Sequence, residues 1–358
     1  MKPSLCVVNY NGASHLPATL AAAREHAAEL HEIVVFDNAS TDGSAELAER
    51  EFPEVKVVRL GENRGPAPAR NAALDQAGSD RVLIVDNDVR ITGGCARILS
   101  EALDANPSAS IATPAVLYAH EPDTVQFDGA DWHVLGQQIL HHPDSPLADL
   151  PSRPRTIGSL ITACFMVDRV RLPSGMRFDE SFFIYFEDHD FGVRARLLGS
   201  AIVSVPEARC LHAEGTAGLS VRQLGKYSSM RVFCTIRNRW LFVLKNYSAA
   251  TLLLLLPVAA VYELAQLVLA TRKGWLVEWW RSLRWVLAHA GEILRERRIV
   301  QSSRVRSDRE LMVGGPLPFR VELIEGRLEA LGRRGLDGLV DGYWRCLRSL
   351  VWRDHAGG

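Results

Sequence analysis

The sequence predicts an α/β protein, a mostly parallel sheet with helices on both faces, followed by a helical C-terminal region. Three observations carry this reading. Short runs rich in Val, Ile and Leu alternate with alanine-rich helical stretches through the first half of the chain, the pattern of a sheet covered by helices. Those runs close on polar turns. Near residue 250 the composition shifts to a Leu-rich run, a Trp-rich helix and an Arg-rich stretch.

In order, Leu5 to Asn9 reads as the first strand, closing on the turn Asn9-Tyr10-Asn11-Gly12, with a helix from Leu16 to Ala28. Glu32 to Asp37 is the second strand. Its polar turn runs to Gly43, and Ser40 or Thr41 is placed to cap a helix reaching Arg50. Val55 to Leu60 is the third, followed by Asn63-Arg64-Gly65-Pro66 and a helix whose face includes Arg70 and Asn71. The fourth, Arg81 to Val85, runs into Asp86-Asn87-Asp88.

A helix near Cys95 to Leu103 and a strand around Ile111 to Val116 come next. The polar, Pro-containing stretch from Tyr118 to Pro154, with His141-His142-Pro143, reads as a hairpin and flexible loop able to act as a lid. Gly158 to Val167 is small and apolar, as expected of a strand beneath a ligand. A Phe/Tyr-rich stretch from Phe178 leads into Glu187-Asp188-His189-Asp190 and a helix to Leu198. Ala201 to Pro206 reads as a short strand, and His212-Ala-Glu-Gly215 as a loop.

At 358 residues the chain can hold one large domain and an appendage, or two domains. A net charge of −1 provides no global field for nucleic acid, and none is expected as a partner. Six scattered cysteines without a C-x-x-C pair read as buried thiols rather than a disulfide or zinc framework. The run from Leu5 to Val8 is too short for the apolar core of a signal peptide, so secretion by that route is not expected.

The chemistry concentrates in carboxylates. Two of them one residue apart at a strand's C-terminal end, Asp86 and Asp88, can both face a divalent cation, at the end of an open sheet where ligands bind. A cation there would neutralise a diphosphate leaving group. Asp188, at a helix start, is favoured as the anion, with Glu187 and Asp190 competing for any proton. It is placed to deprotonate an acceptor hydroxyl. Asp37 closes an apolar strand and can accept hydrogen bonds from a base ring, or serve as a turn residue. His212 can complete the cation site, where its imidazole favours Mn²⁺ over Mg²⁺. Phe182, Phe183, Tyr185 and Phe186 read as core, with a ring at the site's edge able to stack on a sugar.

Six stretches together resemble glycosyltransferase family 2, the inverting enzymes with a GT-A, Rossmann-like fold. They are VVNYNG at residues 7 to 12, FDNASTDGS at 36 to 44, ENRGPAPARNAAL at 62 to 74, VDND at 85 to 88, FFIYFEDHD at 182 to 190 and HAEG at 212 to 215. The step Arg237-Asn238 also recurs after the catalytic domain in many relatives. The resemblance implies a catalytic domain over residues 1–247 and a helical, membrane-associated region over 248–358. It implies nucleotide contacts at Asn9, Asp37, Asn63, Arg64 and Asp86, and metal contacts at Asp86, Asp88 and His212, with Mn²⁺ or Mg²⁺ as cofactor. Asp188 would be the general base, and Glu187, Asp190, Arg237 and Asn238 would lie at the acceptor or the site's edge.

Rhamnosyltransferase-like bacterial members are the nearest in kind. A nucleotide-diphosphate sugar such as dTDP-rhamnose is then the expected donor, and a lipid-linked or polysaccharide acceptor the expected partner. Two prolines replace the commoner glycine-rich version of the third motif, stiffening the turn beside the nucleotide. A UDP-hexose or galactofuranose donor is the alternative within the fold, and a non-catalytic scaffold the alternative outside it. A sugar nucleotidyltransferase would need a glycine-rich, basic phosphate loop where Asn9-Tyr10-Asn11-Gly12 stands.

In the tail, Thr251 to Ala270 is almost wholly apolar, interrupted by Pro257, Glu263 and Gln266. It just reaches the ~20 residues a spanning helix needs, and a central glutamate costs about 2–3 kcal/mol on insertion. Leu276, Trp280, Leu283, Leu287, Ala290 and Leu294 share one helical face, with Arg281, Arg284 and Arg295 off it. Arg297, Arg298, Arg304 and Arg306 follow. This pattern suits the anionic cytoplasmic face of a membrane; packing on the catalytic domain or on a second copy in a homo-oligomer is the alternative.

Overall fold

The computed structural model of the chain describes residues 1–213, 228–317 and 326–348. Two compact units divide it. One comprises Met1–Ala130, Leu140–Ala195 and Ser200–Lys226; the other comprises Asp131–Ile139, Arg196–Gly199 and Tyr227–Gly358.

The first unit is built on a mixed sheet. Strands β1 (Ser4–Asn9), β2 (Glu32–Asp37), β3 (Lys56–Arg59) and β4 (Arg81–Asp86) lie in the order β3-β2-β1-β4, all parallel. Every residue of β1 is buried, which is why its sequence reads as a continuous rather than alternating apolar run. β3, at the edge, has exposed Lys56 and Arg59 at its ends, charges that discourage further strand addition.

Leu5, Val7, Ile33, Val35, Leu83 and Val85 pack with helix α1 (Leu16–Glu25) and α4 (Cys95–Ala105) in one core cluster. The alternate residues of the same strands face away from it. α3 (Pro66–Gln76), whose alanines are absent from that cluster, packs on β1, β2 and β4. α2 (Ser44–Glu51) packs against α1 and β3.

Beyond β4 the sheet turns antiparallel. β12 (Cys164–Asp168) pairs with β4 and with β6 (Ala109–Tyr118), and β7 (Thr124–Phe127) pairs with β6 on the far side. A short β5 (Val89–Ile91) follows the Asp86-Asn87-Asp88 turn and pairs with the end of β13 (Ala201–His212). That last strand runs parallel to β6.

The structure differs from the sequence reading at several places. β13 reaches His212, where a loop was expected, because a register shift between Val205 and Arg209 lets the strand pass Pro206 and resume. Neither Ser40 nor Thr41 caps α2. Gly43, at φ 79°, stands in that position, and Asp42 accepts from the Ser44 N–H at 3.1 Å. The 118–154 stretch is held by β7, β8 (Ala130–His133), β9 (Gln138–Leu140) and β10 (Ser145–Pro146) rather than forming a long irregular loop.

The second unit holds helices α6 (Ser229–Asn246), α7 (Ala249–Arg272), α8 (Leu276–Ala288), α9 (Ala290–Ser303) and α11 (Arg327–Leu347), with a short α10 (Asp308–Leu311). A small sheet of β8, β9 and β14 (Met312–Val313) accompanies them. The helix expected to continue from Leu276 to Leu294 breaks at His289. Among the described residues, α7 is the single helix long and apolar enough to cross a membrane.

Candidate active site

Every strand-end motif converges at the C-terminal edge of the parallel half of the sheet. At the end of β1, Asn9 is fully buried and its amide organises the neighbouring turns. Its Nδ2 donates to Asp37 Oδ1 at 2.7 Å and to Ser44 Oγ at 2.9 Å, and its Oδ1 accepts from Asn87 Nδ2 at 2.9 Å. Asp37 also accepts from the Ser40 N–H at 3.0 Å. A Cβ at Gly12 would lie 2.2 Å from Asn87 Nδ2 and 2.4 Å from Asn9 Oδ1, so glycine there lets the first loop close over the Asp86-Asn87-Asp88 turn.

The third motif does most of the assembly. Asn63 accepts from Asn38 Nδ2 at 2.9 Å, and Arg64 pairs with Glu180. Gly65 has φ 86°, and a Cβ on it would fall 1.7 Å from the Phe183 carbonyl oxygen. Pro66 then opens α3 in the first turn, where its fixed φ and missing N–H are favourable. One turn later Asn71 brackets the Phe178 backbone, donating to its carbonyl at 3.0 Å and accepting from its N–H at 2.8 Å.

Arg70 is the residue that sequence reasoning noticed on a helix face and did not assign to the site. Only 3% exposed, it donates to Glu187 Oε1 at 2.8 Å and to Asp86 Oδ1 at 3.1 Å. Its position one turn inside the helix that follows the Asn-Arg-Gly turn was the available signal. The same guanidinium thus ties the end of β4 to the start of α5 (Glu187–Leu197), two segments about a hundred residues apart.

Asp188 sits in the first turn of α5 and accepts from the His189 N–H at 2.7 Å. Burial, with Glu187 beside it, raises its carboxyl to about 7 against the pull of Arg70. Asp86, with a third of its side chain still exposed, is pushed up to about 6 by the protein packed around it, opposed by Arg70 and reinforced by Asp88. Burial also works against the charge of Asp88, but the hydrogen bond and charge of His212 outweigh it and hold that carboxyl below the ordinary range. His212 Nε2 lies 3.1 Å from Asp88 Oδ2, and its backbone is fixed by the β5 pairing, Val89 opposite His212.

The remaining expected residues have partners within their own units. Asp190 is fully buried and paired with Arg194, Nε to Oδ2 at 2.6 Å, one turn along α5. Arg237 and Asn238 belong to the second unit, on α6. There Arg237 Nε donates to Asn238 Oδ1 at 2.8 Å, and its guanidinium lies 4.6 Å from the centre of the Trp285 ring. Phe182 is core, whereas Phe183, Tyr185 and Phe186 are half-buried. Glu214 and Gly215 of the last motif lie outside the described residues.

Among the described residues, no three His, Cys, Asp or Glu side chains gather as a metal cage. Asp88 and His212 are a two-residue donor set. Their 3.1 Å separation is close to the ~3.0 Å between neighbouring ligands on an octahedral cation with ~2.1 Å bonds. Such a site fits a divalent cation whose other ligands are diphosphate oxygens and water.

Residues 4–166 match the model of glycosyl transferase family 2. Over 345 residues the chain is 25% identical to the N-acetylglucosaminyl-diphospho-decaprenol L-rhamnosyltransferase of Mycobacterium tuberculosis, covering 89% of this chain and 97% of that protein. It is 24% identical over 249 residues to the dTDP-rhamnosyl transferase RfbF of Shigella flexneri, covering 68% and 80% respectively. The solved structure of GalNAc-T7 with UDP, GalNAc and Mn²⁺ shares the fold, with a TM-score of 0.56 at 16% identity. That match covers 70% of this chain and 48% of that one.

Fold and family match together define a glycosyltransferase. Residues 4–166 are similar to family 2, and over most of its length the chain resembles bacterial rhamnosyltransferases.

Proposed function

We propose that this enzyme moves rhamnose from dTDP-rhamnose to a lipid-linked sugar diphosphate, with inversion at the anomeric carbon. The observation that carries the proposal is Arg70, which touches both Asp86 and Glu187 and so sets the donor-side carboxylates beside Asp188. Asp188 acts as general base. A carboxyl raised well above the ordinary carboxylate range by burial and by Glu187 is basic enough to take a hydroxyl proton in the transition state. As the proton passes to Asp188, the acceptor oxygen bonds to the anomeric carbon, and the carbon–oxygen bond to the diphosphate breaks on the opposite face. The electron pair leaves with the diphosphate.

Asp88 and His212 would hold Mn²⁺ or Mg²⁺, which supplies charge neutralisation to the leaving diphosphate. Asp37, Asn9 and Asn63 line the nucleotide's end of the site. The rhamnosyl donor and lipid-linked acceptor are supported by the names of the two relatives. In an assay with dTDP-rhamnose and a polyprenyl-diphosphate N-acetylglucosamine acceptor, product is expected with inverted anomeric configuration. Asp188→Asn is expected to abolish turnover while calorimetry still detects donor binding. Near-normal turnover by that variant would refute the assignment. A thermal-shift panel of UDP-, dTDP- and GDP-sugars with Mn²⁺ tests the donor, because a selective ligand stabilises the folded state.

The acceptor's lipid tail implies work at a bilayer, and the second unit carries a surface for it. On α7, Leu253, Leu256, Val261, Leu264 and Val268 are exposed along one stripe, whereas Thr251, Leu255, Val258 and Tyr262 are buried on the opposite face. Glu263, the polar interruption, pairs with Arg239 and accepts from Trp240 Nε1 at 3.0 Å. A helix bonded to its own unit in this way lies along a membrane surface rather than spanning it. On α8 the buried residues are Glu278, Ser282 and Val286, leaving Val277, Trp280 and Leu287 outward beside Arg281 and Arg284. We assign this surface to the anionic cytoplasmic leaflet.

A further inference from the structure

We propose that Gln126 is a positioning residue for His212, holding the imidazole so that Nε2 faces Asp88 and the cation. The proposal rests on the cation reading above and gives a task to the 118–154 segment, whose place in the chemistry the motifs left open. Gln126 lies on β7 and is 1% exposed. Its Oε1 stands 2.6 Å from His212 Nδ1. An amide oxygen only accepts, so the hydrogen bond requires the proton on Nδ1.

The consequence appears on the other nitrogen. With Nδ1 protonated, the Nε2 of a neutral ring presents a lone pair to Asp88 Oδ2 at 3.1 Å. Two acceptors at that distance repel unless a positive charge joins them. A glutamine on the far side therefore fixes Nε2 toward the carboxylate, where it donates to Asp88 while the ring is charged and becomes a metal ligand when a cation takes that proton's place.

The fold delivers Gln126 with the same economy of parts. β13 pairs with β6 at His212 opposite Tyr118, and β6 pairs with β7 at Leu117 opposite Val125. The strand inserted after β6 thus brings its buried amide alongside the end of β13. On the opposite side, β5 pairs with the same residue, and the Ala213 N–H donates to the Asp88 carbonyl at 3.0 Å. The backbone of His212 is fixed from the Asp88 side and its ring from the Gln126 side. If Gln126 were only a space-filling side chain between strands, a leucine of similar size would serve as well.

The test uses the full chain with ¹⁵N-labelled histidine, free of metal, and Gln126→Leu, Gln126→Glu and His212→Gln variants checked for folding by thermal unfolding. Long-range proton–nitrogen spectra, with His212→Gln giving the assignment, are expected to show a proton on Nδ1 in the wild type and in Gln126→Glu, and its loss in Gln126→Leu. Mn²⁺ titration in the presence of dTDP is expected to weaken about 10–100-fold in Gln126→Leu, the usual cost of removing a ligand's outer partner. Gln126→Glu, which keeps the acceptor, is expected to stay within a few-fold of the wild type (about 1 kcal/mol). An unprotonated Nδ1 in the wild type would overturn the proposal. So would Gln126→Leu binding Mn²⁺ normally while His212→Gln does not. Wild-type affinity in His212→Gln would instead overturn the cation reading itself, and the Gln126 role with it.

Discussion

Replacing Arg70 with methionine keeps the aliphatic stem and removes the charge that two carboxylates share. Glu187, whose side chain is 6% exposed, faces that charge at 2.8 Å, and breaking a buried pair of this kind costs about 3–5 kcal/mol. Asp86 is 32% exposed at 3.1 Å, so water screens it and its share is about 1 kcal/mol or less. The expected loss in Arg70→Met is therefore about 4 kcal/mol at pH 8, which a domain of ordinary stability survives. Urea unfolding in the presence of EDTA measures it. Glu187→Gln added to Arg70→Met should recover about 2 kcal/mol or more, since the stranded charge is then gone. A cost below about 1 kcal/mol at pH 8, the scale of an exposed pair, or one indifferent to Glu187→Gln, would refute the reasoning.

Four further outcomes are expected. With metal saturating, kcat/KM should rise with pH through an inflection at about 7, because the Asp188 carboxyl, raised to that value, must lose its proton to act; a flat profile from pH 5 to 9 would exclude it as base. Gly65→Ala should destabilise the protein by more than the ~1–3 kcal/mol of a left-handed non-glycine residue, since its Cβ also meets the Phe183 carbonyl at 1.7 Å; urea unfolding reports it. Asp88→Ala should abolish Mn²⁺-dependent gain in dTDP affinity by calorimetry while leaving metal-free nucleotide binding intact. Leu256→Glu with Leu264→Glu should abolish flotation of the full chain with anionic liposomes without lowering its Tm, as both side chains are exposed, at 61% and 62%.

The parallel half of the sheet was legible because β1, β2 and β4 are buried on both faces and therefore read as unbroken apolar runs, with Asp37 and Asp86 marking where two of them end. In the antiparallel half β6 and part of β12 were legible, and the short strands were not. β5, β7 and β11 (Arg155–Ile157) have three or four residues each, too few to establish a period, and β13 passes through Pro206 on a register shift that sequence patterns treat as a stop. At the site, residues acting within a few positions of a strand end were found. Those acting across long separations, Arg70 toward Glu187 and Gln126 toward His212, carry no local signature. An arginine one turn inside the helix that follows the Asn-Arg-Gly turn was the one hint. Glu263 shows the converse limit: its cost was assessed against lipid, whereas it has Arg239 and Trp240 as partners in its own unit.

The aromatic stretch before Asp188 explains why the third motif needs so many anchors. Phe183, Tyr185 and Phe186 adopt φ of 64°, 68° and 71°, left-handed values that cost bulky side chains about 1–3 kcal/mol each. Nothing in their own sequence favours that backbone. It persists because Asn71 holds the Phe178 backbone, Arg64 holds Glu180, and Gly65 admits the Phe183 carbonyl where any side chain would block it. Phe178 itself stacks on Phe191 of α5 at 3.9 Å between ring centres, nearly parallel at 4°. The chain is thus clamped on both sides of the strained turn, and the strain lies in the residues directly preceding the proposed base. Relaxing the turn would rotate the start of α5 and carry Asp188 with it. Positioning of the base therefore depends on the nucleotide-side motif as much as on the segment that contains Asp188.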